Sequence, residues 1–540
     1  MRNFYRISFI CVALWLFLIP GANPIRASET AQPEVRALWV DAFRDGAKTP
    51  AQIDRLVQDA LEANINTLIV QVRRRGDAYY NHSIEPRTED PVLPAGFDAL
   101  QYLIEKAHAN KIEVHAWLNT LVAWNRKVPP QDPNHVWNLH GPGAAGRADW
   151  VSYSRTYQKA TSSWSDTLSP SYYLDPGNPD AADYTVAVYL NVVKNYNVDG
   201  IHLDYSRYAG TGWGYNPTSV ERYNARYGAK GLPDPGDPQW AQWRREQTAN
   251  LVRKIYLEAT ALKPNLKVSS AVITWGDGPV APGDWEKSRA YQQVYQDWQA
   301  WLAEGILDLA IPMNYFNEWN PTQQLWYNHW IEWEKDHQYG RQIVIGPGIF
   351  SQYIENSLDQ IRQAEAPSAQ GNRVAGVALY AYGWSNVYSN DDYQDPEAAK
   401  QLPRQPHAFL AETNGWIFHL LTNRGVFTDP VLHTDIATEP VFAEPVAPPD
   451  MPWKSHPQVG SLMGTVSGTA AGTSDHLMIT VEAVNTPKFW LHRETYTDGS
   501  GWFGMTELPP GDYKVRVGSD AGKAQIVSIQ AGHVTEANMQ

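Results

Sequence analysis

Eight short apolar runs alternate with amphipathic stretches over most of this 540-residue chain, the pattern of a parallel sheet with crossover helices, and predict an α/β fold, a (β/α)8 TIM barrel. Two further observations support that class. Polar and aromatic residues gather where the apolar runs end, the place where a barrel keeps its site. No Gly-rich phosphate loop follows the first run, which disfavours an open doubly wound sheet.

The strands are expected at Val35 to Val40, Asn66 to Val72, Ile112 to Leu118, a central run ending at Asp204, Lys267 to Ile273, Leu307 to Met313, Gln342 to Ile345 and Gly376 to Tyr380. Helices are expected between them, at Ala51–Ala63, Phe97–Ala109, Asp180–Tyr196, Trp240–Leu262, Tyr291–Ala303, Thr322–His337 and Ser357–Ala364, with another at Pro406–Asn414. Thr49-Pro50 marks the first helix start, an N-cap residue followed by Pro at the first helical position. The stretch Val122 to Asp180 is a long loop rich in Pro, Gly, Ser, Trp and Tyr, and loops of that length inside a domain are usually functional. The barrel is assigned to residues 34–420, a Pro-rich linker to 421–457 and a small all-β sandwich to 458–540, where runs such as Met478-Ile-Thr-Val-Glu482 alternate between Gly, Asp and Pro turns.

Residues 1–27 read as a signal peptide: Arg2 and Arg6 precede an apolar run from Ile7 to Ile19, and the small residue Ala27 closes the segment. The run is shorter than the ~20 residues a membrane span requires, so no stable membrane insertion is expected after cleavage, and the protein is expected to be exported, periplasmic or extracellular. Cys11, the one cysteine, lies in this segment, so the mature chain holds no thiol. A net charge of −14 disfavours nucleic acid as a partner, since phosphate binding needs concentrated Lys and Arg. With 23 Trp and 29 Tyr, a weakly charged ligand with apolar faces fits better.

The residues at the strand ends suit a sugar: carboxylates and amides for hydroxyls, aromatic rings for the C–H faces. Gln71, Arg73 and Asp77 follow the second strand. His115, Trp117 and Asn119 share one face of the third, and His202 and Asp204 one face of the fourth, because side chains on a strand alternate. Tyr205, Asn314, Tyr315, Tyr380 and Trp384 complete the expected substrate-binding set, and Trp275 is a further stacking candidate. Arg73 is also a candidate for holding a substrate carboxylate.

Five segments carry a specific resemblance: Glu34-Val-Arg-Ala-Leu-Trp-Val40, Gln71-Val-Arg-Arg-Arg-Gly-Asp-Ala-Tyr-Tyr80, Ser83-Ile-Glu-Pro86, His115-Ala-Trp-Leu-Asn119 and Asp199-Gly-Ile-His-Leu-Asp204. Together they resemble the glycosyl-hydrolase-like family 10 barrel proteins over about residues 34 to 385. The tail from 458 resembles carboxypeptidase-regulatory-like modules. The first resemblance implies an exported barrel acting on a glycan as a glycoside hydrolase, with bacterial members that cleave peptidoglycan strands lacking stem peptides. The family commonly has two consecutive acidic residues at the end of strand four; here the second is Tyr205, leaving Asp204 at the matching position.

Hydrolysis of a glycoside uses a pair of carboxyl groups. Asp204 is expected as nucleophile or oxocarbenium stabiliser, and Asp77, Glu318 and Asp277 are the candidates for the general acid. No cofactor is expected. A non-catalytic carbohydrate-binding barrel is the alternative, given Tyr205, and a metal-dependent hydrolase using His115, His202 and Asp204 is third.

Overall fold

Eight parallel strands close on themselves: β1 Val35–Val40, β2 Thr67–Arg73, β3 Glu113–Asn119, β4 Gly200–Asp204, β5 Lys267–Val272, β6 Leu309–Asn314, β7 Gln342–Pro347 and β8 Gly376–Tyr380, each bonded to its sequence neighbour and β8 to β1. The computed structural model describes residues 32–126, 128–156, 172–385, 415–428, 435–467, 474–484, 492–518 and 524–540. The signal segment and the helix expected at 406–414 lie outside these. The strands are buried on both faces, which is why they read as near-continuous apolar runs. Val35, Ala37, Trp39, Ile69, Trp117, Ala271, Ile311 and Ala378 fill the interior, and Leu38, Val40, Leu68 and Leu203 pack against the helices.

Five helices start with the same local device, an Asn, Asp or Thr N-cap followed by Pro at the first helical position: α1 Pro50–Glu62, α3 Pro179–Asn195, α4 Pro217–Tyr227, α5 Pro238–Leu262 and α7 Pro321–Asp336. The others that flank the barrel are α2 Ala99–Ala109, α6 Trp298–Glu304 and α8 Ile354–Glu365. Two expectations change. The helix expected at Tyr291–Ala303 is broken into Arg289–Gln292 and α6, because Tyr295 turns the chain with a φ of 56°. The break points Gln296 inward, where it accepts from the Ile273 N–H (2.9 Å) and donates to the Ala271 carbonyl (3.2 Å), satisfying the end of β5. Helix α4 lies between β4 and α5, where the sequence predicts no helix.

The Pro-rich stretch, expected as a linker, runs beneath the barrel, and its described residues bond to it. Its carbonyls accept from Asn64, Asn66 and Gln342 side chains and from the Glu34 N–H. Met451 joins the apolar interior of the barrel, and Trp453 Nε1 donates to Asp308 (2.7 Å), which Lys454 also approaches at 3.1 Å. The amino end of the barrel is thus plugged by residues far outside it in sequence.

Beyond the plug, a three-stranded sheet (Gly460–Thr465, Trp502–Leu508, Val534–Glu536) and a four-stranded sheet (Met478–Ala483, His492–Tyr496, Gly511–Val517, Ala524–Ile529) share a core of Leu462, Ile479, Phe503, Val515 and Ile529. This sandwich is fixed to the barrel. Lys254 of α5 donates to Asp183 of α3 (2.6 Å) and to Ser500 (3.0 Å), Arg222 pairs with Asp475 (2.7 Å), Arg341 pairs with Glu507 (2.5 Å), and Trp502 packs into the barrel core.

Candidate active site

Pairing β3 with β4 in parallel sets Trp117 beside His202 and Asn119 beside Asp204, so the polar ends of both strands reach the mouth at one height. Asp204 closes β4. Trp117 Nε1 donates to its Oδ2 at 3.2 Å and the Tyr205 N–H to its Oδ1 at 2.7 Å. Burial pushes the Asp204 carboxyl up to about 6, against the opposing pull of Arg207, the Tyr205 N–H and Trp117. Tyr205 has a φ of 54°, uncommon for a residue with a side chain, and its ring turns onto Arg207.

Around Asp204 the mouth is aromatic. Tyr315 and Tyr380 stack at 5.1 Å, Phe350 sits edge-on to both, and Trp384 follows at 4.8 Å from Phe350. Trp384 also carries the Arg44 guanidinium at 4.2 Å, and Trp275, 41% exposed, faces Arg207. Burial raises the Tyr315 and Tyr380 hydroxyls above their ordinary range, with Asp204 and Asp41 adding to it, which places both carboxylates in the field of this aromatic pair.

Gln71 and Asn119 support the site from the side. Gln71 Nε2 donates to Asn119 Oδ1 (3.0 Å), which also accepts from Trp117 (3.1 Å), while Asn119 Nδ2 donates to the Arg74 carbonyl. This network fixes the Trp117 indole, and through it Asp204. Both amides are buried with their partners taken, so they hold the site rather than line it.

The other expected residues have different work. Arg73 is buried in a two-pronged pair with Glu85 (2.7 and 2.8 Å) and also donates to the Asn119 and Val122 carbonyls, so it ties the loop after β2 to β3 and is not open to a substrate carboxylate. Asp77 caps that loop, accepting from the Arg75 N–H and from Thr88 (2.7 Å). Glu318 lies away from Asp204 among helix glutamines, Gln324 of α7 and Gln360 and Gln363 of α8. Asp277 pairs with His329 of α7 at 2.7 Å and is exposed. None of these three acids meets Asp204.

Asn314 faces outward because its neighbour Met313 occupies the inward position of β6; it donates to the buried Glu334 of α7 at 2.8 Å. His115 is four residues below Asn119 on β3, about 13 Å down the strand, at the amino end of the barrel beside Gly200. His202 is fully buried beneath Asp204, accepting from Trp39 Nε1 (3.1 Å) with its other nitrogen on Ser269 (2.9 Å). Burial holds that imidazole well below its usual pKa, so it is neutral. With both nitrogens engaged, His202 is not a metal ligand, and no group of three His, Cys, Asp or Glu side chains fit for a metal occurs among the described residues.

A family model described as Glycosyl hydrolase-like 10 matches residues 34–364, more than half the chain. The chain belongs to this family. It is 26% identical over 359 residues to a protein of Bacillus subtilis (strain 168) named glycosyl hydrolase YngK, covering 62% of this chain and 64% of that one. It is 29% identical over 331 residues to glycosyl hydrolase DigH of Escherichia coli (strain K12), covering 55% and 69%. The chain thus spans less than two thirds of YngK. Among solved structures, the glycoside hydrolase domain of PgaB (BpsB) from Bordetella bronchiseptica aligns with a TM-score of 0.48 at 16% identity, over 65% of this chain and 95% of that one.

Sequence reasoning did not single out Asp41, Arg44, Phe350 or Tyr173, whose ring lies 5.9 Å from that of Tyr205. Asp41 follows β1 directly, and its carboxylate accepts from the Phe43 and Arg44 N–H groups and pairs with the Arg44 side chain (2.8 Å), which sets the guanidinium that Trp384 covers. An acid directly after the first barrel strand was the available signal. Phe350 and Tyr173 had none, since their place depends on loop paths.

Proposed function

We propose that this protein is an exported glycoside hydrolase acting on a bacterial cell-wall glycan of the peptidoglycan type or an extracellular polysaccharide, with Asp204 as its acid–base carboxyl. The observation that carries this reading is Asp204 itself, a buried carboxyl at the end of β4 whose pKa of about 6 lets it hold a proton in mildly acidic solution and release it. Membership in the family supports cleavage of glycosidic bonds. Family position alone favours a nucleophile at 204, but a carboxyl that keeps its proton suits donation better.

In this reading a pyranose rests against the Tyr315, Tyr380 and Phe350 rings while Asp204 gives its proton to the glycosidic oxygen. The C–O bond breaks, the leaving sugar departs with a new hydroxyl, and water adds at the anomeric carbon. The proton lost by that water restores the acid. Trp117 keeps the carboxyl in place throughout, anchored by Asn119 and Gln71. The sandwich positions the barrel on its polymer.

The test is release of soluble fragments from purified glycan strands, with and without stem peptides, by the mature protein and by Asp204→Asn. Release that disappears in the variant supports the proposal. The absence of a second acid at Tyr205 favours one other reading, a barrel that binds glycan without cleaving it. Binding with no release from any strand would assign the protein to that class. Cell fractionation tests the export, which a cytoplasmic protein would overturn.

A further inference from the structure

We infer that Arg207 is a specificity residue of this site, receiving the carboxylate of an acidic sugar in the glycan bound over Asp204. The inference rests on the proposed function and names its substrate class. Arg207 is 7% exposed, and its guanidinium lies between two rings, 4.6 Å from the centre of Tyr205 and 5.3 Å from that of Trp275. Its Nε is buried without a hydrogen-bond partner, and among the described residues no acceptor takes any of its nitrogens. Its charge acts on the Asp204 carboxyl, yet the two form no ion pair.

The neighbouring arginines each find an acceptor, although Arg74 and Arg75 also keep buried nitrogens without one. Arg73 is held by Glu85, Arg44 by Asp41, Arg74 by the Ala42 carbonyl and Arg75 by Asn125. Arg207 alone of these five meets only ring faces. A nearly buried guanidinium without an acceptor is costly, because burial strips its water and nothing replaces it. The rings recover part of that cost through cation–π attraction, and the N–H edge of the planar ion is left without an acceptor. That edge matches a carboxylate, which accepts two parallel N–H bonds in the same plane. A neutral hydroxyl accepts one and leaves the charge uncompensated.

The sugar carboxylate has two chemical sources, the C6 acid of a hexuronic residue and a lactyl ether on an amino sugar, and the experiment separates them. Affinity is measured by calorimetry in the Asp204→Asn protein, which makes it independent of turnover. The ligands are a uronic acid oligosaccharide, a lactyl-bearing amino-sugar oligosaccharide, and each of these after reduction of its carboxyl to an alcohol. At least one acid is expected to bind ten times or more tightly than its reduced form. Adding Arg207→Gln should abolish that preference while changing affinity for the reduced form less than twofold, and Arg207→Lys should restore only part of it.

Equal affinity for acid and reduced forms, or equal losses on both in Arg207→Gln, would overturn the assignment. So would failure of all four ligands to bind. Should Arg207→Gln not fold, the comparison of acid with reduced ligand on the unsubstituted Arg207 decides. Tight selective binding of an acid together with no cleavage by the Asp204 protein would overturn the hydrolase reading and leave Arg207 as assigned.

Discussion

Two buried side chains near the mouth, Asp204 and Arg73, act in opposite ways, and their variants separate function from support. The Asp204 carboxyl titrates at about 6 in the folded chain against 3.8 ordinarily. Below about pH 4 both folded and unfolded chains hold the proton. Between there and pH 6 the unfolded chain releases it while the folded chain keeps it, so stability falls as pH rises through that window. At ~1.4 kcal/mol per pH unit the loss approaches about 3 kcal/mol above pH 6. Asp204→Asn is therefore expected to melt higher than the wild type at pH 7.5 and close to it at pH 4, while losing on the order of 10²-fold or more in activity. Wild-type cleavage is expected to fade above about pH 6 as the acid ionises. For Arg73→Ala the expectation reverses: urea unfolding should show a loss of about 3–5 kcal/mol, because Glu85 is left buried and unpaired, whereas the preference for acidic over reduced ligand should persist in the folded fraction.

Closure of the sheet pairs β8 with β1 from Val35–Gly376 to Trp39–Tyr380, and the first of these pairs is the tight one. Gly376 begins β8 at a φ of 144°, and a Cβ there would stand 2.0 Å from the Val35 carbonyl oxygen and 2.6 Å from the Val35 nitrogen. Both are backbone atoms of a paired strand and cannot yield as a side-chain tip could. Gly376→Ala is expected to cost about 3 kcal/mol or more and to lower the yield of folded protein, measured by thermal melting of the soluble fraction. The same element-scale reasoning accounts for Asn314. Since faces alternate along β6, the Met313 side chain inside the barrel obliges Asn314 to face α7, and there Glu334 gives it a partner.

At the scale of the molecule, barrel, plug and sandwich are joined by packing and polar contacts, although the sandwich keeps a core of its own. Trp453 and Lys454 meet Asp308 under the barrel, Met451 enters its interior, and Lys254 joins α5 to the sandwich. Calorimetry is expected to show one unfolding transition, with two separated transitions as the contrary result. Trp453→Ala should lower that transition for the whole chain, by about 3 kcal/mol at the midpoint, although the residue lies outside the span matched to the family.

The sequence by itself determined the barrel, because strands buried on both faces must be apolar throughout and helix starts announce themselves locally in Thr49-Pro50, Asn178-Pro179 and Asn320-Pro321. It also determined Asp204, since a carboxylate closing such a strand stands at the mouth. Tertiary structure decided which partner each polar group finds. Arg73 and Arg207 are alike as letters in aromatic, charged stretches, yet Glu85 reaches one and only rings reach the other. Asp77, Glu318 and Asp277 have no sequence mark separating them from an acid at the mouth, because the helices and loops that supply Thr88, Gln360 and His329 come together only in three dimensions. The plug escaped sequence reading for the same reason: Pro-rich composition reports the absence of helix, while order came from Asn66, Asp308 and Gln342, brought beneath the barrel by its closure.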